Sequence, residues 1–223
     1  ASHAMPLAEP LRCRQDDART WGVRGTPTDC VRMAVRHILL ENPPDLVLSG
    51  VNHGSNLAED VTYSGTIAAA IEGTLLGVRS IAMSQVSGVV EPGTLHWETP
   101  LQHGPKLVRR LLDVGWPTGI VLNVNYPGCT PDAVAGVEIT RQGRRDQALL
   151  HIDKRNDPWG MPYFWFGFER PPSTRVEGSD LAAIDRSFIS VTPLCLNLTD
   201  DATCKALSDK ISSATLGNTS AQN

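Results

Sequence analysis

The stretch from Pro44 to Gly73 constrains this chain most, because it joins an apolar strand, a polar glycine-bearing loop and a helix start in one short run. Leu46-Val47-Leu48, bounded by Pro44 and by Ser49-Gly50, reads as a strand buried on both faces of a parallel sheet. The chain then turns polar through Asn52-His53-Gly54-Ser55-Asn56, at a strand's carboxyl end, where open α/β sheets place their ligands. Further on, Ile67-Ala68-Ala69-Ala70-Ile71 is a strong helix former and Ser64 a good N-cap, so a helix starts at Gly65. Its unpaired N–H groups and positive dipole end favour an anion. Gly65 has no side chain to hold a phosphate away, and Ser64 and Thr66 add hydroxyl donors. Any helix start needs such a cap. What points to a pocket is its pairing with a loop that offers the Asn52 and Asn56 amides at a strand end.

At 223 residues and 24.1 kDa the chain suffices for one large α/β domain or for a core with an appendage. A net charge of −4 and a pI near 5.9 lack the basic footprint of a nucleic-acid-polymer binder, so an anionic ligand must be drawn by local dipoles or by a metal. There is neither an apolar run long enough for a membrane span nor a basic segment leading into an apolar leader. Cys13, Cys30, Cys129, Cys195 and Cys204 are odd in number and form no Cys-x-x-Cys pair, a pattern of reduced thiols in the cytoplasm.

Along the chain, residues 7–24 read as a hairpin at a sheet edge. Thr26-Pro27-Thr28-Asp29 is a capped helix start, and the spacing of Cys30, Val31, Ala34, Val35 and Ile38 predicts an amphipathic helix over 27–40, stopped by Pro43-Pro44. After the Gly65 helix, a strand over 78–84, a helix over 99–114 with Pro105 inside it, and a strand over 120–125 continue the alternation. That alternation predicts a parallel sheet with right-handed crossovers. Beyond Gly128 the pattern changes. A strand over 137–140 precedes a polar, charge-rich stretch to Pro158. Six of the twelve aromatics, Trp159, Tyr163, Phe164, Trp165, Phe166 and Phe168, then fall together. Such bulk on both faces of a strand needs covering, by a private core or by another subunit. A capped helix from Ser179, a strand over 188–191, a helix over 202–211 and a polar tail over 212–223 complete the chain.

The sequence contains neither a dinucleotide-binding nor a P-loop glycine motif, and no His-Glu-x-x-His or Gly-x-Ser-x-Gly. Of the dispersed histidines only His53 lies in the central loop, where a solvated side chain is expected. Glu59 and Asp60 fit an exposed loop and also have the chemistry of general acids or bases, whereas Glu72, inside an apolar helix, calls for a partner. Hard divalent cations need several oxygen ligands, so Asn52 alone makes no metal site.

Gly25-Thr26-Pro27-Thr28-Asp29-Cys30-Val31, Pro44 to Asn52, Gly54-x-Asn56 and Tyr63 to Gly73 resemble the signature segments of the SurE family, and Ser190 to Leu194 with Leu198-Thr199 resembles its closing segment. The resemblance implies a metal-dependent phosphomonoesterase acting on nucleoside 5′- and 3′-monophosphates with Mg²⁺ or Mn²⁺. It implies an α/β fold: a Rossmann-like three-layer parallel sheet core over residues 1–128, a β-rich oligomerisation extension over 129–200, and a C-terminal helix and tail over 201–223. The tail and extension serve a homodimer or homotetramer. In the family the cation is held by two adjacent aspartates in an Asn-Asp-Asp-Gly turn, a serine in a Ser-Gly-Ala loop, and the asparagine of Ser-Gly-x-Asn. Only the last carries over, onto Asn52. Phosphate or substrate contacts are expected at Ser64, Gly65, Thr66 and Asn56. Ala1-Ser2-His3 resembles the part just after the metal-binding serine, so the first βαβ unit and the catalytic aspartate are expected upstream of Ala1. The competing expectation is a non-catalytic phosphate-binding or assembly module.

Overall fold

In a computed structural model of the chain, residues 10–88, 94–145, 150–168 and 176–211 are described. Strands β1 (Arg12–Gln15) and β2 (Trp21–Arg24) pair antiparallel as the expected hairpin, but as a separate two-stranded sheet and not at the edge of the main one. Helix α1 (Pro27–Met33) opens with the capping box legible in its residues. Thr26 Oγ1 accepts from Asp29 N at 3.4 Å, and Asp29 Oδ2 accepts from Thr26 N at 2.8 Å. The helix expected over 27–40 widens after Met33 into a π-helical turn, Ala34–Ile38.

The central sheet has the order β3-β4-β5-β9-β6. Strands β3 (Leu46–His53), β4 (Arg79–Gln85) and β5 (Ile120–Tyr126) run parallel. Helix α2 (Gly65–Leu75) joins β3 to β4, and α3 (Glu98–Val114) joins β4 to β5. A Cβ on Gly73 would collide with Ser80 Oγ and Val47, which shows how closely α2 lies on the sheet. Ile67 and Ala70 of α2 pack on Ala82 and Val121. Leu107 of α3 packs on Ile81, Met83, Leu122, Val124 and Tyr126, residues of the opposite parity and so of the other face. The helix runs unbroken through Pro105, with Gly104 set so close to Tyr126 that a Cβ there would stand 3.1 Å from its hydroxyl.

Two expectations are corrected here. The steps β3 to β4 and β4 to β5 move the same way across the sheet, yet their helices lie on opposite faces. The two crossovers therefore have opposite hands, and only one can follow the right-handed rule. The sheet is also mixed. β9 (Phe188–Cys195) pairs antiparallel with β5, and β6 (Gly136–Ile139) runs parallel to β9.

Of residues 129–200, β6, β9 and the short helix α4 (Asp180–Asp185) belong to this sheet and its packing. Strands β7 (Leu150–Asn156) and β8 (Pro162–Phe168) form a separate two-stranded ribbon, so a strand lies inside the stretch that reads as polar loop. Trp159, Phe164, Trp165 and Phe166 on or beside this ribbon are exposed, so the aromatic block has no private core among the described residues. Helix α5 (Asp201–Ile211) follows, and the polar tail lies outside the described residues. Among the described residues β3 is an edge strand, and its Leu48 is 47% exposed, although its residues read as a strand buried on both faces.

Candidate functional site at the strand ends

The loop from Asn52 to Ser64 leaves the carboxyl end of β3 and returns to start α2. Ser64 caps that helix. Its backbone is extended, its side chain is buried, and its Oγ accepts from Ile67 N at 3.1 Å, leaving the hydroxyl proton free to be donated. Gly65 and Thr66 are half-buried at the helix start, whose first N–H groups have no partner within the helix. Pro27 of α1 backs Gly65: a Cβ there would stand 3.1 Å from Pro27 Cγ. Helix α1 is in turn locked to α2 by Arg32. Its Nε and Nη2 donate to Glu72 Oε1 and Oε2 at 2.7 and 2.8 Å, and its Nη1 to Asp29 Oδ1 at 3.4 Å. Glu72 thus has the partner its apolar surroundings call for.

Asn52 is half-buried. Its Nδ2 donates to the carbonyls of His53 and Gly54 at 3.3 and 3.1 Å, which commits the nitrogen to closing that turn. Asn56 sits deeper and is bound on every side. Its N–H donates to Asn125 Oδ1 at 2.9 Å, and its Nδ2 to Ser84 Oγ at 2.7 Å. Its carbonyl accepts from Asn123 Nδ2 at 2.8 Å and Asn125 Nδ2 at 3.2 Å. Asn123 and Asn125, both fully buried, therefore pin the middle of the loop to β5. The sequence shows two asparagines alternating along an apolar strand, which is the signal for this role, but not their partner.

The far half of the loop is held from the other side. Ala58, at φ 52° in a conformation costly for a residue with a Cβ, donates its N–H to Asp180 Oδ2 at 2.8 Å and accepts from Gln142 Nε2 at 3.0 Å. Asp180 Oδ1 also accepts from Gly143 N and Leu181 N at 2.8 and 2.7 Å. Burial pushes this carboxyl above its ordinary value, against the pull of those backbone donors and of Arg145. Glu59 accepts from Arg145 N at 2.9 Å and Asp60 from Arg145 Nη2 at 2.7 Å, so both acids are occupied in closing the loop.

His53, exposed at the end of β3, meets Trp97 edge to face. Nothing in the sequence connects these two rings, because their meeting depends on β3 lying beside β4. For a hard cation the donor set is short. Asn52 Oδ1 is one suitable oxygen, and among the described residues no group of three His, Cys, Asp or Glu side chains gathers. The residues present hold one corner of such a site and do not complete it.

The fold defines a three-layer α/β protein with a polar loop and a helix start at the carboxyl ends of its parallel strands. Comparison with known proteins narrows the class. The family model described as Survival protein SurE matches residues 1–148. A 5′-nucleotidase SurE from Azorhizobium caulinodans is 54% identical over 200 residues, 90% of this chain and 78% of that protein. A 5′-nucleotidase SurE from Rhodopseudomonas palustris is 55% identical over 208 residues, 92% and 82% of the two chains. The crystal structure of a SurE protein from Aquifex aeolicus superposes with a TM-score of 0.81 at 38% identity, covering 94% of this chain and 83% of the other. The chain belongs to the SurE family.

Proposed function

We propose that this chain is a 5′-nucleotidase, hydrolysing nucleoside monophosphates to nucleoside and phosphate. The observation that carries this is the continuous segment from Asn52 to Thr66, which sets an oxygen donor and an open helix start at the strand ends of a SurE fold. The named relatives, 5′-nucleotidases at more than half identity, support the same reading and disfavour a non-catalytic module.

In this reading the N–H groups at Gly65 and Thr66 and the hydroxyls of Ser64 and Thr66 hold the phosphoryl oxygens, and their dipoles are already oriented for the charge that develops in the transition state. Asn56 forms the floor of the site and fixes the loop. A divalent cation, Mg²⁺ or Mn²⁺, would supply polarisation of the phosphoryl group and activation of the attacking water. Asn52 Oδ1 would be one of its ligands. The acidic ligands are assigned to a segment preceding Ala1 whose strand pairs on the open edge of β3. The activity extends to 3′-monophosphates. The exposed aromatics of the β7–β8 ribbon serve a homodimer or homotetramer, and the five free cysteines fit a cytoplasmic setting. Among the described residues no helix is long and apolar enough to cross a membrane.

The test is phosphate release from AMP by a chain carrying that preceding segment, with Mg²⁺ or Mn²⁺ and then with chelator. Hydrolysis is expected with metal and is lost on chelation. Asn52→Ala raises the metal concentration needed for half-activation while the melting temperature holds. Turnover independent of metal, or none at all, refutes the proposal.

A further inference from the structure

We propose that the corner formed by His53 and Trp97 seats the nucleobase of the substrate. This rests on the nucleotidase reading and extends it to the other end of the ligand. The ring centroids lie 6.4 Å apart with planes at 73°, so a flat base can stack on one ring while meeting the edge of the other.

The position follows from the sheet register. Asn52 is level with Ser84 and His53 with Gln85, so the two consecutive residues at the end of β3 point to opposite faces. Ser84 shares its face with Ala82 and α2, and Gln85 shares the face of Met83 and α3. A ligand lying across the strand end therefore has the α2 helix start on one side and the start of α3 on the other. Trp97 immediately precedes α3, on the side of His53. A nucleoside monophosphate spans these two halves, phosphate toward Ser64 and base toward Trp97.

The fold makes little use of this indole. Trp97 is 40% exposed, belongs to no buried cluster among the described residues, and supplies no side-chain cap to α3. Leu101, one turn further on the same helix face, is exposed as well and extends the apolar floor. The flanking pair of His96 Nδ1 and Glu98 Oε1, 3.0 Å apart, holds the turn that presents the ring. An exposed aromatic surface at the same end of the sheet as the α2 helix start suits a base that is recognised by its π face and not by its polar edge.

The experiment compares AMP with ribose 5-phosphate, which carries the same phosphate without a base, in the chain that includes the segment preceding Ala1. Trp97→Ala should raise KM for AMP about tenfold and leave ribose 5-phosphate unchanged, the size expected for one base–aromatic stack, with Trp97→Phe recovering most of the loss. Adenosine should quench tryptophan fluorescence in the unmodified protein and not in Trp97→Phe. Equal effects on both phosphates, or no effect on AMP, overturn the platform while leaving the nucleotidase reading intact. If neither phosphate is hydrolysed even by the unmodified protein, that reading fails, and the adenosine quench alone decides the platform: its presence supports it and its absence overturns it.

Discussion

Replacing Asn125 by alanine tests whether the active-site loop owes its position to the sheet. The substitution removes the Asn125 Oδ1 acceptor of the Asn56 N–H, at 2.9 Å, and the longer of two hydrogen bonds to the Asn56 carbonyl, at 3.2 Å. A buried N–H left without a partner costs about 1–3 kcal/mol, and loss of the second bond adds roughly 0.5–1.5 kcal/mol. At about 1.4 kcal/mol per tenfold, a penalty near 2 kcal/mol raises the population of released loop roughly 30-fold. Asn123→Ala provides the contrast. It removes one donor to the same carbonyl, leaves the N–H paired, and its own Oδ1 has no partner among the described residues, so the expected cost is only about 0.5–1.5 kcal/mol. Native-state hydrogen exchange at the Asn56 amide reads the opening directly, and kcat/KM for AMP reads its consequence. Asn125→Ala should accelerate exchange at Asn56 far more than Asn123→Ala does, and kcat/KM should fall in the same order. Unchanged exchange at Asn56 would refute the pinning. Faster exchange with unchanged kcat/KM would show that the loop's position does not matter to the reaction.

Ser64→Ala should cost about 1 kcal/mol through loss of the helix cap, a fall of roughly 2–4 °C in Tm by calorimetry, and should raise KM for AMP as well. Arg32→Met leaves the Glu72 carboxylate buried without its partner and should cost roughly 2 kcal/mol, discounted from the value for a fully buried pair because Arg32 is partly exposed. Arg32→Met with Glu72→Met should recover most of that in chemical denaturation, and a double variant weaker than the single would contradict the pairing argument. Asp180 has a folded carboxyl raised by burial, so the native chain keeps that proton to higher pH than the unfolded chain. Its stabilising share is complete below the ordinary value of 3.8 and is lost as pH rises through the folded value. Asp180→Asn should therefore remove a downward component from the stability-versus-pH curve above that point, measured by urea titration across pH. On the ribbon, Trp165→Ser with Phe166→Ser should lower the native mass in light scattering without lowering Tm. An unchanged mass would remove the ribbon from the assembly interface.

The half of the site that is plain from the residues is the half built by local rules. Thr26 with Asp29, and Ser64 before Ile67, announce helix starts because a cap and the amide it satisfies lie three positions apart. The proposed anion end of the site is legible for the same reason, since a helix start carries its own N–H groups and dipole wherever it is placed. The other contributions reach across the chain. Arg32 finds Glu72 forty positions away, Asn123 finds Asn56 sixty-seven away, and Ala58 finds Asp180 one hundred and twenty-two away. No periodicity encodes such partners. β7 escapes notice because both strands of its ribbon stand in solvent, which removes the alternation of buried and exposed residues that marks a strand. The antiparallel β9 and the opposed hands of the two crossovers are likewise properties of sheet order, not of any segment. The proposed base platform is the sharpest case. His53 reads as a solvated loop histidine, which is correct locally, and no sequence pattern marks Trp97. They become one surface only because β3 and β4 are neighbours and their connecting helices lie on opposite faces. That arrangement sets the proposed anion end and the proposed aromatic end on opposite sides of a single strand terminus.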